Sequence, residues 1–564
     1  MKKISTILSA LVLAAIVLVS CHKDNLKATL LNLNTLKVTT DLTNADPTVF
    51  ITADSIVIKQ NDSLKVRVKI AQSVGSASNF SYVWMITQSA AANANPAQYI
   101  VGTSAQLATK VILPPNLYRL AVKVTDNSTG VSYFKFFQLN VFSSAWGNEG
   151  WLVLQDQPSK GGDDIGVITT NDGSAHGQVY NNVYSLMNVH KLPLGSYKIN
   201  VIDYATSLRT QKVSVFYPNG GIQLRSYDFA DSVAYQNWSI QPPTTTNLQV
   251  NWAESGYGIG VEYVINNNQI SFRAVNATSI KTPPVNFGAP FLGSFTLAPF
   301  IIASGSLSDN YAMLYDKANY CFLGINASTS VFAPANADVP NKHFATYTGS
   351  AATLDPNTGS GFDLNNMTYN GQGYNLIYAE NAQPLNTSSC YWNTFFRNNA
   401  NTSTYLVQFA KPNTNAFSNN FTTGRYSLTN ANCPGINLAT KFACNTSLPM
   451  PNGVFYYVNG SNIYTCKVKA LATSTASVGL SFAAGTIIKV MKVYNSGYTT
   501  LPTTEGKVLV VATDETASGK GNNVYFFNLN PTTGDILGTP SAPADFYTGF
   551  DTINDIAFKK ALGK

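Results

Sequence analysis

Val213-Ser214-Val215-Phe216-Tyr217-Pro218-Asn219-Gly220-Gly221-Ile222-Gln223-Leu224-Arg225-Ser226-Tyr227 is the stretch on which the fold turns. Two apolar, β-branched and aromatic runs flank a Pro-Asn-Gly-Gly turn, the residue chemistry of a tight hairpin. The same arrangement recurs along the chain. Paired runs lie at Trp151–Leu154 with Ile165–Thr169, at Val261–Ile265 with Ile270–Val275, and at Tyr311–Tyr315 with Tyr320–Ile325. Three more follow: Leu376–Ala379 with Tyr405–Phe409, Val454–Val458 with Ile463–Val468 around Asn459-Gly460, and Val508–Ala512 with Val524–Leu529. Pair starts are spaced about 50 to 80 residues apart, a period that suits propeller blades. Seven blades are expected over residues 146–564. The run Phe550-Asp551-Thr552-Ile553-Asn554-Asp555-Ile556-Ala557-Phe558-Lys559 is placed to return to the first pair and close the ring. A tandem of β-sandwiches is the rival arrangement.

Residues 37–145 have a different rhythm. Ser55–Ile58, Leu64–Ile70, Tyr82–Ile86, Leu107–Leu113, Tyr118–Asp126 and Val131–Val141 are short strand candidates separated by turns, among them Asn127-Ser128-Thr129-Gly130. In Leu64-Lys65-Val66-Arg67-Val68-Lys69-Ile70 apolar and cationic residues alternate, so one face is buried and the other solvated. Strands at this spacing predict an immunoglobulin-like β-sandwich. Tyr82-x-Trp84 and the block Tyr118-x-Leu120-x-Val122-x-Val124-Thr125-Asp126 resemble the PKD-like family, as does Gly150-Trp151-Leu152-Val153-Leu154 just beyond. The chain departs from the usual PKD repeat after Trp84, where Met85-Ile86-Thr87-Gln88 replaces a Phe-Gly-Asp-Gly turn. The resemblance is therefore to the divergent PKD-like group found in lipoproteins of outer-membrane glycan-uptake systems. It implies a surface role beside a transporter and its lid lipoprotein.

The N-terminus carries Lys2-Lys3, an apolar run from Ile7 to Val19, and Leu18-Val19-Ser20-Cys21. This is the layout of a secretory signal over residues 1–20. Its end resembles a bacterial lipobox, which implies acylation of Cys21 and cleavage after Ser20. Each buried methylene contributes about 0.8 kcal/mol, so several acyl chains hold a protein durably on a membrane. Residues 21–36 read as a lipidated tether. Its start, His22-Lys23-Asp24-Asn25, resembles the charged export tags of surface lipoproteins, so the outer face of the outer membrane is expected.

Composition agrees with an exported all-β protein. Of 564 residues, 12% are charged while Tyr and Phe number 30 each, favouring pleated, half-buried surfaces. The net charge of +7 is not concentrated in basic runs, so nucleic-acid binding is disfavoured. Besides Cys21 there are Cys321, Cys390, Cys433, Cys444 and Cys466, with no CxxC spacing. Cys433 and Cys444 flank a loop-like stretch and are the candidate disulfide, against the alternative that all five are small buried residues.

Catalytic signals are sparse. His22, His176, His190 and His343 are isolated, and no HExxH, G-x-S-x-G or phosphate-binding motif occurs. No metal or cofactor is expected. Asp163-Asp164 reads as a solvated hairpin tip, and Asp355-Pro356-Asn357-Thr358-Gly359 with Asp363 as turn chemistry rather than a calcium loop. The ligand-facing candidate is Tyr391-Trp392-Asn393-Thr394-Phe395-Phe396-Arg397-Asn398, with Tyr391, Trp392 and Arg397 as its contact residues; the alternative is one more core strand. Trp238 and Trp252 are weaker versions of the same idea. The expected role is non-catalytic binding of a glycan or peptide in nutrient uptake. A propeller-based hydrolase or lyase acting on polysaccharide, and a structural or adhesive module, are the alternatives.

Overall fold

The computed structural model describes residues 35–561 with gaps, the longest at 89–99, 239–249, 275–285, 327–366, 381–391 and 410–421. The chain divides into two compact units, Met1–Phe142 and Ser143–Lys564. Both are built from β-strands; the signal, Cys21 and the tether as far as residue 34 lie outside the described residues, and Leu36 already belongs to the first strand.

The first unit is a sandwich. One sheet runs in the order Phe50–Ile51, Ser55–Lys59, Ser132–Phe142, Asn116–Asp126, Phe80–Gln88, Ile100–Gly102. The other runs Leu36–Thr40, Ser63–Gln72, Gln106–Lys110. Alternation decides which side chains fill the space between them. Leu64, Val66 and Val68 point in, and Lys65, Arg67 and Lys69 point out. Trp84 is wholly buried against Phe137, and its indole N–H donates to the Ser104 carbonyl at 2.8 Å. The Asp126 carboxylate accepts from the Ser128 amide at 2.9 Å, which closes the turn that ends in Gly130 at φ 73°.

The second unit is a β-propeller. Seven antiparallel sheets follow one another among the described residues, and each of the seven hairpin pairs read from the sequence falls in a different sheet. The first strands of successive sheets are Lys198–Tyr204, Val250–Gly256, Leu297–Ala303, Gln372–Glu380, Phe442–Cys444 and Ile487–Val493, with the two-residue strand Thr368–Tyr369 preceding the fourth of them. Each packs beside the next, and the C-terminal strand Thr552–Lys559 packs beside both Ile487–Val493 and Lys198–Tyr204. The ring therefore closes. Thr552–Lys559 pairs antiparallel with Gly150–Asp156, so the two ends of the unit share one sheet. At its far end the buried Lys559 ammonium donates to the Gly147 carbonyl at 2.8 Å, and burial pulls its pKa down to about 7.

This closure explains why the strands read as continuous apolar runs. Alternate side chains of one strand enter two different interfaces. In Gly150–Asp156, Leu152 and Leu154 pack toward Val213, Val215 and Leu224 of the next sheet. Trp151 and Val153 pack toward Val508, Val510 and Phe526 of the last. Both faces are buried, so the period-2 pattern of a half-solvated sheet disappears. The opening hairpin behaves as read. Tyr217 faces Gly220 across the turn, with Pro218 first and Asn219 second at φ 64°, the order a type II turn requires.

One pairing differs. Leu376–Ala379 and Tyr405–Phe409 share a sheet but are not neighbours; Trp392–Asn398 lies between them and bonds to both. Asp163-Asp164 is not a solvated tip either. Both are fully buried: Asp163 accepts from the Gln157 amide at 3.1 Å and the Ser196 amide at 2.6 Å, and Asp164 from the Ser185 amide at 3.2 Å. These carboxylates satisfy backbone N–H groups that have no ladder partner.

Closure yields a test. A chain ending at Gly549 lacks Thr552–Lys559 and leaves Leu152, Val153 and Leu154 without a neighbour on one side. In differential scanning calorimetry the propeller transition is expected to vanish while the sandwich transition persists. Two unchanged transitions would contradict closure by this strand.

Candidate functional site

The first strands of the sheets surround a cavity of about 640 Å³, a size suited to a small organic ligand. Its wall includes Lys198, Lys441, Lys489 and Lys492, together with Asp555 and Glu380. Tyr197, Phe300 and Tyr378 add aromatic surface, and Asn200, Asn495 and Asn554 add amides. Four lysines and two acidic residues thus share the wall of a cavity that is partly open to solvent.

The carboxylates occupy opposite electrostatic situations. Asp555, on the closing strand, bonds Lys198 at 3.2 Å through one oxygen and Lys492 at 3.0 Å through the other. The Ile199 amide donates to it at 3.2 Å. Burial alone would raise its pKa, but Lys198, Lys492 and these hydrogen bonds outweigh burial and hold it below the ordinary value. Glu380 ends its strand. Its Oε2 accepts from the Tyr378 hydroxyl at 2.7 Å and the Cys444 amide at 2.6 Å. Burial dominates here, offset in part by those donors and by Lys492, and the pKa is pushed up to about 7.

The four lysines also separate into two kinds. Lys198 and Lys492 are committed to Asp555. Lys441 and Lys489 form no ion pair among the described residues. Burial holds the Lys441 pKa down; Asp555 opposes this, while Lys489 and Lys198 add to it. Neither ammonium is locked in an ion pair, but both have acidic neighbours, Asp555 for Lys441 and Asp156 and Asp514 for Lys489. No group of His, Cys, Asp and Glu able to hold a metal occurs among the described residues.

The site expected from sequence lies elsewhere and proves to be core. Trp392 is 1% exposed, packed with Phe396, Tyr315, Phe322 and Tyr405. Every residue of Trp392–Asn398 is buried. Arg397 donates through Nη2 to the carbonyls of Ile436 at 2.8 Å and Ala439 at 2.7 Å, fastening the link to the next sheet. Neither side chain is left to meet a ligand, which corrects the expectation for Trp392 and Arg397; Tyr391 lies outside the described residues. Trp238 is buried against Phe216 and Tyr235. His190 pairs with Asp231 at 2.9 Å, away from the cavity wall. His22, His176, His343 and the 355–363 stretch lie outside the described residues.

The cysteine pairing is corrected as well. Cys321, Cys433, Cys444 and Cys466 are buried free thiols. The sulfur nearest Cys433 is that of Cys466, at 3.6 Å, because the strand Asn462–Lys467 faces the loop that carries Cys433. Cys444 instead sits beside Glu380.

The cavity lysines escaped sequence reading because they are scattered over some 300 positions and make no motif. One signal was present. Lys198 begins the first strand of its sheet, Lys441 precedes one, and Lys489 and Lys492 lie within a third. Lysine recurring on the strand that lines a propeller axis marks a charged channel.

A model of the PKD-like family matches residues 34–194, the sandwich and the start of the propeller. No curated protein matches by sequence. Among solved structures, a quinoprotein alcohol dehydrogenase-like protein from Bacteroides thetaiotaomicron is 10% identical, with 90% of this chain and 99% of that chain covered and a TM-score of 0.36. The WD40 domain of SCAP from fission yeast is 8% identical, covering 63% of this chain and 76% of that chain at a TM-score of 0.33. The propeller assignment rests on the closed ring of sheets itself.

Two outcomes are expected. Trp392→Ala should cost about 3–5 kcal/mol in urea unfolding, the scale of a large ring deleted from a core; a loss below about 1 kcal/mol would place the ring outside the core. Glu380→Gln tests the second carboxylate. The folded-state pKa lies near 7 and the ordinary value is 4.5, so between those pH values the unfolded chain releases a proton that the folded chain keeps. Stability from this group therefore falls as pH rises through that window. The Gln variant should gain on the parent from pH 4.5 to 7 in melting experiments, and a constant difference would refute the assignment.

Proposed function

We propose that this chain is a lipid-anchored surface protein whose propeller binds, without transforming, an acidic oligosaccharide on its way to an outer-membrane transporter. The observation that carries the reading is the cavity wall, where Lys441 and Lys489 stand without an ion-pair partner among the described residues while Lys198 and Lys492 are fixed by Asp555. Aromatic and amide groups on the same wall suit sugar faces and hydroxyls, and the lysines suit a uronate carboxylate. The lipobox-like Leu18-Val19-Ser20-Cys21 and the PKD-like match support the surface setting.

A second reading is enzymatic, a hydrolase or lyase on the same glycans. It draws on Glu380, whose pKa near 7 and contact with the Tyr378 hydroxyl are the properties of a general acid or base. Prolonged incubation with a polyuronate, followed by chromatography of the products, separates the two: binding leaves the chain length unchanged.

The test of binding is calorimetric titration with oligogalacturonate and with a neutral oligosaccharide of equal length. The acidic ligand should bind, more weakly as salt is raised. It should bind more tightly at pH 6 than at pH 8, because protonation of Glu380 removes a negative charge from the wall. Lys441→Ala/Lys489→Ala should lower its affinity about tenfold to a hundredfold, the scale of one or two charged contacts. Equal affinity for both ligands, or none for either, would refute the proposal.

A further inference from the structure

The three-stranded sheet of the sandwich carries a second cationic surface, independent of the propeller. Lys37, Lys65, Arg67, Lys69 and Lys110 are all exposed on its outer face. The register packs them closely: Lys69 lies opposite Thr39, Arg67 opposite Gln106, Lys65 opposite Ala108 and Lys110 opposite Ser63. Same-face neighbours along a strand are about 7 Å apart and strands about 5 Å apart, so the five charges lie within a Debye length or two of one another. Among the described residues, the carboxylates on this sheet and its turns are two. Asp41 is 4% exposed and bonds Lys69 at 3.0 Å; Asp62 stands in the turn ahead of Ser63–Gln72. A surface kept soluble by charge alone would mix signs, and this one does not.

The position of this sheet in the chain says what such a face would meet. Its edge strand begins at Leu36, fifteen residues after Cys21. Fully extended, that tether spans at most about 50 Å. The sheet's edge strand is therefore the first folded element after the tether of an acylated Cys21. We propose that its cationic face lies against the phosphate groups of that membrane, adding an electrostatic contact to the acyl chains. The inference rests on the lipid-anchor reading for its biology, but the contact itself can be measured without the lipid.

The chain from His22 to Lys564, which carries no acyl group, is mixed with vesicles of phosphatidylcholine alone or of phosphatidylcholine with phosphatidylglycerol, and sedimented. It should sediment with the anionic vesicles only, and less so as salt is raised. Lys65→Ala/Arg67→Ala should weaken this about 30-fold, each cation contributing about fivefold near an anionic surface. Its melting temperature should match that of the parent, since both side chains are exposed. Sedimentation with both vesicle types, or with neither, would overturn the proposal. So would a double variant that binds like the parent. Retention on immobilised polyuronate that is lost in this variant, without vesicle binding, would assign the face to glycan instead. Failure of fatty-acid labelling at Cys21 would strike the anchor reading alone.

Discussion

The structure of the second unit depends on one pairing, that of Thr552–Lys559 with Gly150–Asp156. A propeller sheet has no solvent face of its own. Its strands are apolar on both sides because each side needs a neighbouring sheet, and only a closed ring gives every sheet two. The C-terminal strand supplies the last neighbour. It also supplies Asp555, which orients Lys198 from the following sheet and Lys492 from the preceding one. Closing the ring and arranging the charge around its axis are thus the same event.

The chain has few charges, and most of those inside have a structural task. Asp163 and Asp164 accept backbone N–H groups. Glu515 accepts from the Thr513 hydroxyl at 2.8 Å, the Asn523 amide at 3.1 Å and the Tyr525 hydroxyl at 2.7 Å, while Glu505 takes the Ser447 hydroxyl at 3.0 Å and the Ser496 amide at 2.9 Å. Such carboxylates are satisfied locally and lend no charge to a site. Lys441, which is exposed, and Lys489, which is half-buried, differ from them in lining the cavity without an ion pair among the described residues.

The sequence disclosed what depends on local chemistry. Asn219 at positive φ after Pro218 made the opening hairpin readable, and the Lys65-Val66-Arg67-Val68 alternation made the half-solvated sandwich sheet readable. It was silent on what depends on closure. Trp392–Asn398 looked like a loop platform because a strand buried on both faces shows no alternation to announce it, and Asn393, Arg397 and Asn398 read as polar. In the structure those residues bond within the sheet or to the adjoining loop: Asn393 accepts from Gln408 at 2.9 Å, and Asn398 from the Thr402 amide at 2.9 Å. Asp163-Asp164 misled in the same way, because a buried carboxylate serving backbone amides has the letters of a solvated turn. The cavity was hidden because its residues meet only after the ring of sheets has closed.

The most direct measurement is a crystal structure of the chain soaked with an acidic trisaccharide. Ligand density should lie on the propeller axis, with a carboxylate within hydrogen-bonding distance of Lys441 or Lys489 and with the Asp555 pairs to Lys198 and Lys492 intact. Density on the outer rim of the sheets, or an axis left empty while sugar binds elsewhere, would contradict the account.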